Sequence, residues 1–175
     1  MKKLRPLIAL LALTFAVGTL AASGETEEAT KVDEETGESS AAATDEEFAV
    51  GDAVALGDWQ VKVYEFVDPV EVTNEFSQPE EGKRRVKVDA EVTNNGDEPA
   101  NVSSLLCFEL KDGENRTYDQ TLFGDSDVGS IDGEIAPGEA LRGEVEYDVP
   151  AEAGGFVLNF KCDLFSSGTA KITLS

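Results

Sequence analysis

The sequence predicts an all-β domain, a sandwich of antiparallel strands, and three observations lead to that fold class. Residues 84–93 and 141–149 alternate apolar and charged side chains with the period of a strand that has one solvated face. Shorter apolar runs recur at the spacing of a β-sandwich and are separated by Gly, Pro and Asn turns. No stretch has a helical period. We therefore expect two packed sheets.

Residues 135–150 combine a turn, a strand and a stop. Pro137 and Gly138 form the turn, because proline fixes φ and glycine accepts the positive φ of the next position. Pro150 ends the strand, because proline has no N–H to donate. The strand alternates inward Leu141, Gly143, Val145, Tyr147 and Val149 with outward Arg142, Glu144, Glu146 and Asp148.

The composition limits the possible functions. The 175 residues leave room for one globular domain of roughly 130 residues after an N-terminal leader and linker. The chain has no histidine, the commonest general base and metal ligand. Its formal charge of -22 repels nucleic-acid phosphates and anionic lipid head groups. We therefore expect neither nucleic-acid binding nor histidine-dependent hydrolysis.

Residues 1–22 have the three parts of a signal peptide. A basic start precedes an apolar run over residues 7–17, which is too short to span a bilayer comfortably, and small residues follow. Ala21 and Ala22 are the candidate cleavage positions. We expect an exported chain that does not insert into the membrane once the signal is removed.

The same residues resemble a bacterial lipoprotein signal up to one position. Leu20, Ala21 and Ala22 match its first three positions, but Ser23 stands where that family has the cysteine that carries the lipid. We therefore expect a secreted or cell-envelope-associated protein, and a lipid anchor would require a natural cysteine in place of Ser23.

Residues 23–47 predict a disordered acidic linker. From residue 24 to residue 47 the chain has ten acidic residues, one basic residue and almost no large apolar side chain. Such a segment cannot bury enough surface to offset the entropy of ordering it. An acidic tail that binds cations or basic partners is the functional alternative. The composition changes at Phe48, where we place the start of the folded domain, residues 48–175.

Eight strands are predicted in this domain. Trp59, the only tryptophan, is assigned to the core, and in the fourth strand Leu106, Phe108 and Leu110 share the core face. Turns are expected at residues 94–96 and at 112–113. The predicted strands cover residues 50–56, 59–67, 84–93, 102–110, 117–123, 141–149, 156–165 and 169–174.

Two connections are candidate binding loops. Residues 68–82 are long, contain two prolines and include an irregular edge strand at 70–72. A long loop on the rim of a sandwich suits a binding surface, and a tolerated insertion is the alternative. We expect this loop and residues 124–133 to form the interaction surface.

Residues 124–133 also suggest calcium binding. Asp125, Asp127 and Asp132 supply the carboxylates that hard cations prefer. The spacing does not match an EF-hand, because the twelfth position counted from Asp125 is Ala136. We assign no metal site and retain a calcium-binding envelope protein as the alternative function.

Cys107 and Cys162 are expected to form a disulfide, because export brings the chain into an oxidising environment. Closing this loop of 55 positions would remove roughly 4 kcal/mol of unfolded-state entropy. Cys107 lies on the less apolar face of its predicted strand, beside Leu105 and Glu109, whereas Cys162 lies on a core face. The bond therefore requires an edge or a bulge.

Catalytic residues are missing from the sequence. Ser103 and Ser104 have no histidine to activate them and do not lie in a G-x-S-x-G motif. A pair of carboxylates for glycoside hydrolysis depends on distance in space, which the sequence does not give. We expect no enzymatic activity, no catalytic residue and no cofactor.

Four stretches, in order and spacing, resemble a known family. They are GDWQVKV (57–63), VKVDAEVTNNG (86–96), FELKDGENRTY (108–118) and APGEALRGEVEYDVP (136–150). The sequence is similar to a bacterial extracytoplasmic domain of unknown function that shares an immunoglobulin-like sandwich with a secreted immunoprotective antigen. The resemblance implies an immunoglobulin-like antiparallel β-sandwich, exported behind a low-complexity linker. It supplies no catalytic residue.

The combined expectation is a secreted or cell-envelope binding domain that is not an enzyme. Its partner would be an unidentified envelope or extracellular protein or glycan, bound by complementarity of the rim loops. The strong negative charge favours a monomer.

Overall fold

The computed structural model describes residues 28–33, 39–40, 47–122, 128–162 and 168–175. The predicted signal peptide, with Ala21, Ala22 and Ser23, lies outside the described residues. The elements in chain order are β1 (Thr30–Val32), β2 (Ser39–Ser40), β3 (Glu47–Ala49), β4 (Ala53–Leu56), β5 (Trp59–Val67), β6 (Lys83–Asn94), β7 (Ala100–Ser103), α1 (Ser104–Cys107), β8 (Phe108–Lys111), β9 (Thr117–Tyr118), β10 (Asp132–Ile135), β11 (Ala140–Pro150), β12 (Phe156–Phe160) and β13 (Ala170–Leu174).

These strands form two main sheets and a short ribbon. The six-stranded sheet has the order β11-β6-β5-β4-β1-β2, the five-stranded sheet has the order β3-β13-β12-β8-β9, and β7 pairs with β10. The pairing of β3 with β13 is parallel, and the other pairings are antiparallel. The predicted β-sandwich is confirmed.

The core lies between the inner faces of the two sheets. Strands β6 and β11 pair over their whole lengths, from Ala140 opposite Thr93 to Pro150 opposite Lys83. Trp59 is 8% exposed, as expected for a core tryptophan. Each fully buried Val, Leu or Phe contributes about 1.5–3 kcal/mol relative to an exposed side chain. The inward side chains that are fully buried include Val61, Val63, Val86, Val88, Ala90, Val92, Leu110, Val149, Leu158, Phe160 and Ile172.

The strand predicted over residues 50–56 begins only at Ala53, because the chain changes sheets between Ala49 and Ala53. Strand β3 belongs to the five-stranded sheet and β4 to the six-stranded sheet. Gly51, with φ of 95°, makes the bend and donates its N–H to Val63 O at 2.8 Å. Asp52 Oδ2 accepts the Ala49 N–H at 3.1 Å. The glycine and the aspartate satisfy the backbone where the ladder is interrupted.

Two short strands lie within the acidic segment where the sequence predicts a disordered linker. Strand β1 pairs with β4, from Thr30 opposite Ala55 to Val32 opposite Ala53. Lys31 Nζ lies 2.5 Å from Asp52 Oδ1. The basic residue of an otherwise acidic stretch therefore joins part of it to the domain. Residues 34–38 and 41–46 lie outside the described ranges.

The single strand predicted over residues 102–110 is wrong, because α1 interrupts it. Successive side chains point about 100° apart around a helix but 180° apart along a strand. The alternation of buried and exposed side chains is therefore lost at α1. Leu106, expected on the core face, is 69% exposed, whereas Cys107 and Phe108 are both 4% exposed. One turn is too short to show a helical period in the sequence.

Three further boundaries differ from the prediction. No strand forms at residues 70–72. Strand β12 ends at Phe160, whereas the sequence predicted a strand to residue 165. Strand β9 ends at Tyr118, because the chain then crosses to the other sheet, where Gln120 bridges to Tyr147. Thr121 N–H donates to Glu146 O at 2.8 Å. Side-chain alternation carries no signal for such a corner.

Candidate functional site

The loop of residues 68–82 presents an exposed aromatic side chain. Phe76 is 99% exposed. The Phe76 N–H donates to Asn74 Oδ1 at 2.9 Å, and the Ser77 N–H donates to Asn74 O at 3.1 Å. Gln78 Nε2 donates to Val72 O at 2.7 Å, across the base of the turn. Asn74 thus organises a local turn, as asparagine side chains do, and Phe76 projects from it.

Arg84 holds the base of this loop to the sandwich. Its Nε and Nη2 donate to the two carboxylate oxygens of Asp68, at 2.5 and 2.7 Å. Its remaining N–H groups donate to the carbonyl oxygens of Pro150, Ala151 and Ala153, at 2.7–2.9 Å. The hydrogen bond with Asp68 raises the pKa of Arg84 despite the opposing effect of burial. All five guanidinium donors are therefore used in fixing one end of the loop.

Arg85 forms a second anchor on the same strand. Its Nε and Nη2 donate to Asp148 at 2.8 and 3.1 Å, and its Nη1 lies 3.4 Å from Glu146 Oε2. The side chains of Arg85 and Glu146 are 1% and 3% exposed. The Val70 N–H donates to Arg85 O at 2.8 Å, which ties the start of the loop to β6. A buried ion pair thus lies beside the attachment of the loop.

A groove of about 930 Å³ lies over the outer face of the five-stranded sheet and α1, and it is partly open to solvent. Its apolar wall consists of Leu105, Leu106 and Leu122, which are 58%, 69% and 72% exposed. Its polar residues include Lys111, Lys161 and Lys171 together with Glu109, Asp119, Gln120 and Asn159.

The charges in this groove are unevenly paired. Lys111 Nζ lies 3.2 Å from Glu109 Oε2, and Asn159 Nδ2 donates to the same oxygen at 3.0 Å. The Asn159 hydrogen bond is the main cause that lowers the pKa of Glu109. In the described part of the chain, neither Lys161 nor Lys171 has a carboxylate oxygen within 4.0 Å of its ammonium. The groove therefore holds two cations without an ion pair to described residues.

A disulfide joins Cys107 to Cys162 beside this groove, with their Cα atoms 4.4 Å apart. The helical turn α1 brings Cys107 inward, and this turn supplies the irregularity that the pairing requires. Lys161 N–H donates to Cys107 O at 2.9 Å, so the two chain segments are also joined by their backbones. The bond fixes the exposed leucines of α1 relative to Lys161.

The residues considered for calcium and for catalysis have structural contacts. Asp132 lies in β10, where its carboxylate accepts the Ser104 N–H at 2.8 Å and the Ser104 hydroxyl at 3.1 Å. Burial acts to raise the pKa of Asp132, but hydrogen bonds from Ser130, Ser104 and Ser103 hold it below its usual value. Asp125 and Asp127 lie outside the described residues. No group of three or more Cys, Asp or Glu side chains that could hold a metal ion occurs in the ranges that the structure describes.

Residues 48–172 match the family model described as Domain of unknown function (DUF4352). The chain belongs to the DUF4352 family. The family resemblance expected from the sequence is thereby confirmed. No curated protein matches this chain. Within the described residues, no helix has the length and apolar character needed to cross a membrane.

Several solved structures of low sequence identity are similar to this DUF4352 chain, and two with TM-scores above 0.5 share its fold. The yjhA protein from Bacillus subtilis has a TM-score of 0.57 at 15% identity, covering 73% of this chain and 99% of that chain. The ycdA protein from Bacillus subtilis, a predicted lipoprotein, has a TM-score of 0.55 at 19% identity, covering 67% of this chain. This chain spans only 36% of the length of ycdA. The secreted protein MPT63 from Mycobacterium tuberculosis has a TM-score of 0.47 at 12% identity, covering 68% of this chain and 83% of that chain.

Sequence reasoning missed both the exposed Phe76 and the cationic groove. The phenylalanine lies between acidic and polar residues, in a segment without alternation, and that composition is the available signal for an exposed aromatic residue. The groove gave no such signal. Its lining comes mainly from α1, four strands and the connection after β9, and several of these segments are distant in sequence.

Proposed function

We propose that this protein is a non-enzymatic binding module that acts outside the cytoplasm, and that residues 68–82 contact its partner through Phe76. The observation that carries the proposal is the full exposure of Phe76 on a loop that Arg84 clamps to the sandwich. A phenylalanine side chain that is fully exposed to water does not stabilise the free domain. Its burial by a partner would contribute favourable free energy to binding.

The anchoring of the loop supports this role. Ordering a mobile loop at an interface costs binding free energy, and a loop that is already hydrogen-bonded avoids much of that cost. The Asn74 turn and the five donors of Arg84 order residues on both sides of Phe76. An aromatic residue on such a support has the character of a binding hot spot.

The proposed location is supported by three features. The N-terminal residues have the pattern of an export signal. The disulfide between Cys107 and Cys162 is typical of proteins that fold in an oxidising compartment. The ycdA protein, which shares the fold, is a predicted lipoprotein. An extracytoplasmic protein released from the membrane or retained by the envelope fits all three.

The test compares the exported chain with its Phe76→Ser variant in quantitative binding to fractionated envelope proteins and glycans. We expect Phe76→Ser to weaken retention by about 30-fold, the size of a hot-spot loss near 2 kcal/mol. Tyr64→Ser, at an exposed aromatic residue of β5 outside both candidate loops, is the matched control and should bind like the wild type. Equal retention of the two variants would refute the role of Phe76. Thermal melting verifies that both variants fold.

A further inference from the structure

The cations of the domain differ sharply in their surroundings. Neither Lys161 nor Lys171 has a carboxylate oxygen of a described residue within 4.0 Å of its ammonium, although the strand register places Glu47 beside Lys171, and both lysines line the groove. The formal charge of the chain is -22, so a cation without an ion pair is unusual here. By contrast, ion pairs to carboxylates hold Lys83, Arg84, Arg85, Lys87, Lys111, Arg116 and Arg142.

Strand register places the two lysines on the same side of the sheet. Lys171 lies opposite Asn159 in the pairing of β12 with β13, and both alternate with buried neighbours. Lys161 follows directly after β12, and it lines the groove together with Asn159 and Lys171. The two lysines therefore border the same outer surface.

The apolar wall gives the groove a second chemical character. Leu105 and Leu106 project from α1, and Leu122 projects from the connection after β9. All three are more than half exposed in the free chain. Covering them would release about 25 cal/mol for each Å² of apolar area removed from water. The groove thus offers cations and leucines to one ligand.

We propose that this groove binds an acidic peptide segment of a partner protein, in which carboxylates alternate with apolar side chains. Lys161 and Lys171 would pair with the carboxylates, and the three leucines would cover the apolar side chains. The inference rests on the proposed binding role of the domain but not on Phe76.

The shape of the groove favours an extended peptide over an acyl chain. An acyl tail gains most from an enclosed apolar cavity, whereas this groove is partly open to solvent and has carboxylates and amides among its lining residues. A peptide can place its backbone across such a mixed surface and use alternate side chains.

Local charge decides whether an acidic ligand can approach. The overall negative charge slows association, but salt screens exposed charges beyond about 8 Å at physiological ionic strength. At contact distance, a ligand carboxylate can pair with the two ammonium groups that line the groove, although Glu109 and Asp119 line it too. We therefore expect binding that is specific to this surface and weakens as salt rises.

The direct test titrates the full exported chain with a fluorescent synthetic peptide of alternating Glu and Leu. The double variant Lys161→Gln/Lys171→Gln should bind about tenfold more weakly, as expected for the loss of two solvent-accessible ion pairs. Lys62→Gln/Lys83→Gln removes the same charge outside the groove and should bind like the wild type. Thermal melting checks that both double variants remain folded.

Changes in the peptide test the two halves of the proposal. A Gln–Leu peptide lacks the carboxylates and a Glu–Ser peptide lacks the apolar side chains, so each should bind about tenfold more weakly. Equal binding of all three peptides, or equal effects of the two lysine double variants, would overturn the proposal. Tighter binding of laurate than of the Glu–Leu peptide, lost in Lys161→Gln/Lys171→Gln, would show a lipid site and overturn it too.

Two further variants separate this proposal from two other hypotheses: that the chain's own acidic segment fills the groove, and that Phe76 forms the binding surface. If the acidic segment of the chain itself fills the groove, replacing Glu34, Glu35 and Glu38 by Gln should raise the affinity for the peptide. That result would overturn the proposal that the ligand belongs to a partner protein. Unchanged affinity would support a ligand from a partner protein. Phe76→Ser should bind the peptide normally, so the two binding proposals can fail independently.

Discussion

The outer faces of the two sheets use their cations differently. On the six-stranded sheet, charged residues pair across β6 and β11. Arg142 donates to Asp89 at 2.6 and 2.9 Å, and Lys87 Nζ lies 2.8 Å from Glu144. On the five-stranded sheet, Lys161 and Lys171 have no such partner in the described ranges. The charged side chains on the six-stranded sheet pair with one another, whereas two lysines beside the five-stranded sheet remain available for a ligand.

Tyr64 strengthens this contrast, because it extends the network on the six-stranded sheet. The guanidinium carbon of Arg142 lies 4.0 Å from the centre of the Tyr64 ring, and the Tyr64 hydroxyl donates to Glu91 at 3.1 Å. Burial and the Glu91 carboxylate raise the pKa of Tyr64. The hydrogen bond with Asp89 raises the pKa of Arg142. Cations and anions on this face are therefore occupied with one another.

The difference separates structural charge from charge available for binding. A cation in a cross-strand pair fixes the register and has little left to offer a ligand. A cation without a pair contributes little to folding and can be used in recognition. Substitutions on the two faces should accordingly change different properties.

The largest expected effect is at the buried end of the paired face. Arg85→Met would remove the buried guanidinium that pairs with Glu146 and Asp148, and it should lower the free energy of unfolding by about 3–5 kcal/mol. Chemical denaturation measures the loss. Lys171→Met on the opposite face is the control and should stay within about 0.5 kcal/mol of the wild type. Similar losses in the two variants would remove the distinction between the faces.

The next effect concerns the disulfide beside the groove. Replacing Cys107 and Cys162 together by Ser should destabilise the domain by about 2–4 kcal/mol, because the unfolded chain loses a constraint across 55 positions. Peptide binding should weaken as well, since the covalent link between α1 and Lys161 would be lost and only the hydrogen bond from Lys161 N–H to Cys107 O would remain. If binding survives in a folded double-Ser variant, the disulfide does not shape the groove.

A smaller effect should appear as pH dependence at the turn between β8 and β9. Burial acts to raise the pKa of Asp112, but hydrogen bonds from Tyr118, Arg116 and Glu114 hold it well below its usual value. This carboxylate therefore stabilises the fold above the unfolded pKa of about 3.9, and the contribution is lost as the pH falls toward the folded pKa.

Asp112→Asn tests that contribution. The variant should be less stable than the wild type at neutral pH, and the two unfolding free energies should converge on acidification, as measured by denaturation at a series of pH values. Asp97→Asn, in an exposed connection, is the control. A constant difference between Asp112→Asn and the wild type at every pH would contradict a role for the ionised carboxylate.

The smallest effect compares one lysine from each face. The hydrogen bond with Glu144 is the main cause that raises the pKa of Lys87. Lys87→Gln should therefore cost about 0.5–1 kcal/mol of stability, whereas Lys171→Gln should cost less than about 0.5 kcal/mol and weaken peptide binding. Calorimetric melts and peptide titrations on both variants give the comparison. Reversed results would mean that Lys171 is the structural lysine.

Alternation along β6 and β11 could be predicted from the sequence because one face of each strand is buried over its whole length. Val86, Val88 and Tyr147 are fully buried, as the pattern required. The same pattern predicts Arg85 as solvated, yet it is 2% exposed. Its burial depends on Asp148 and Glu146 of β11, and a strand pattern does not show which charges lie opposite one another.

The candidate sites depended on contacts that the sequence does not contain. A loop at residues 68–82 was predicted, but its fixation by Arg84 involves carbonyls 66 to 69 positions away. The groove unites α1 with Lys161 and Lys171 through strand order and the disulfide.

The sequence by itself determined the β-sandwich, its family and the inward faces of its long strands. These follow from the period of side chains along a strand, which is a local property. Only the tertiary structure decided the change of sheet at Gly51, the helical turn at Cys107 and the availability of the groove lysines. Each of these depends on which distant segment lies beside a residue, because pairing between strands is set by packing of the whole sandwich.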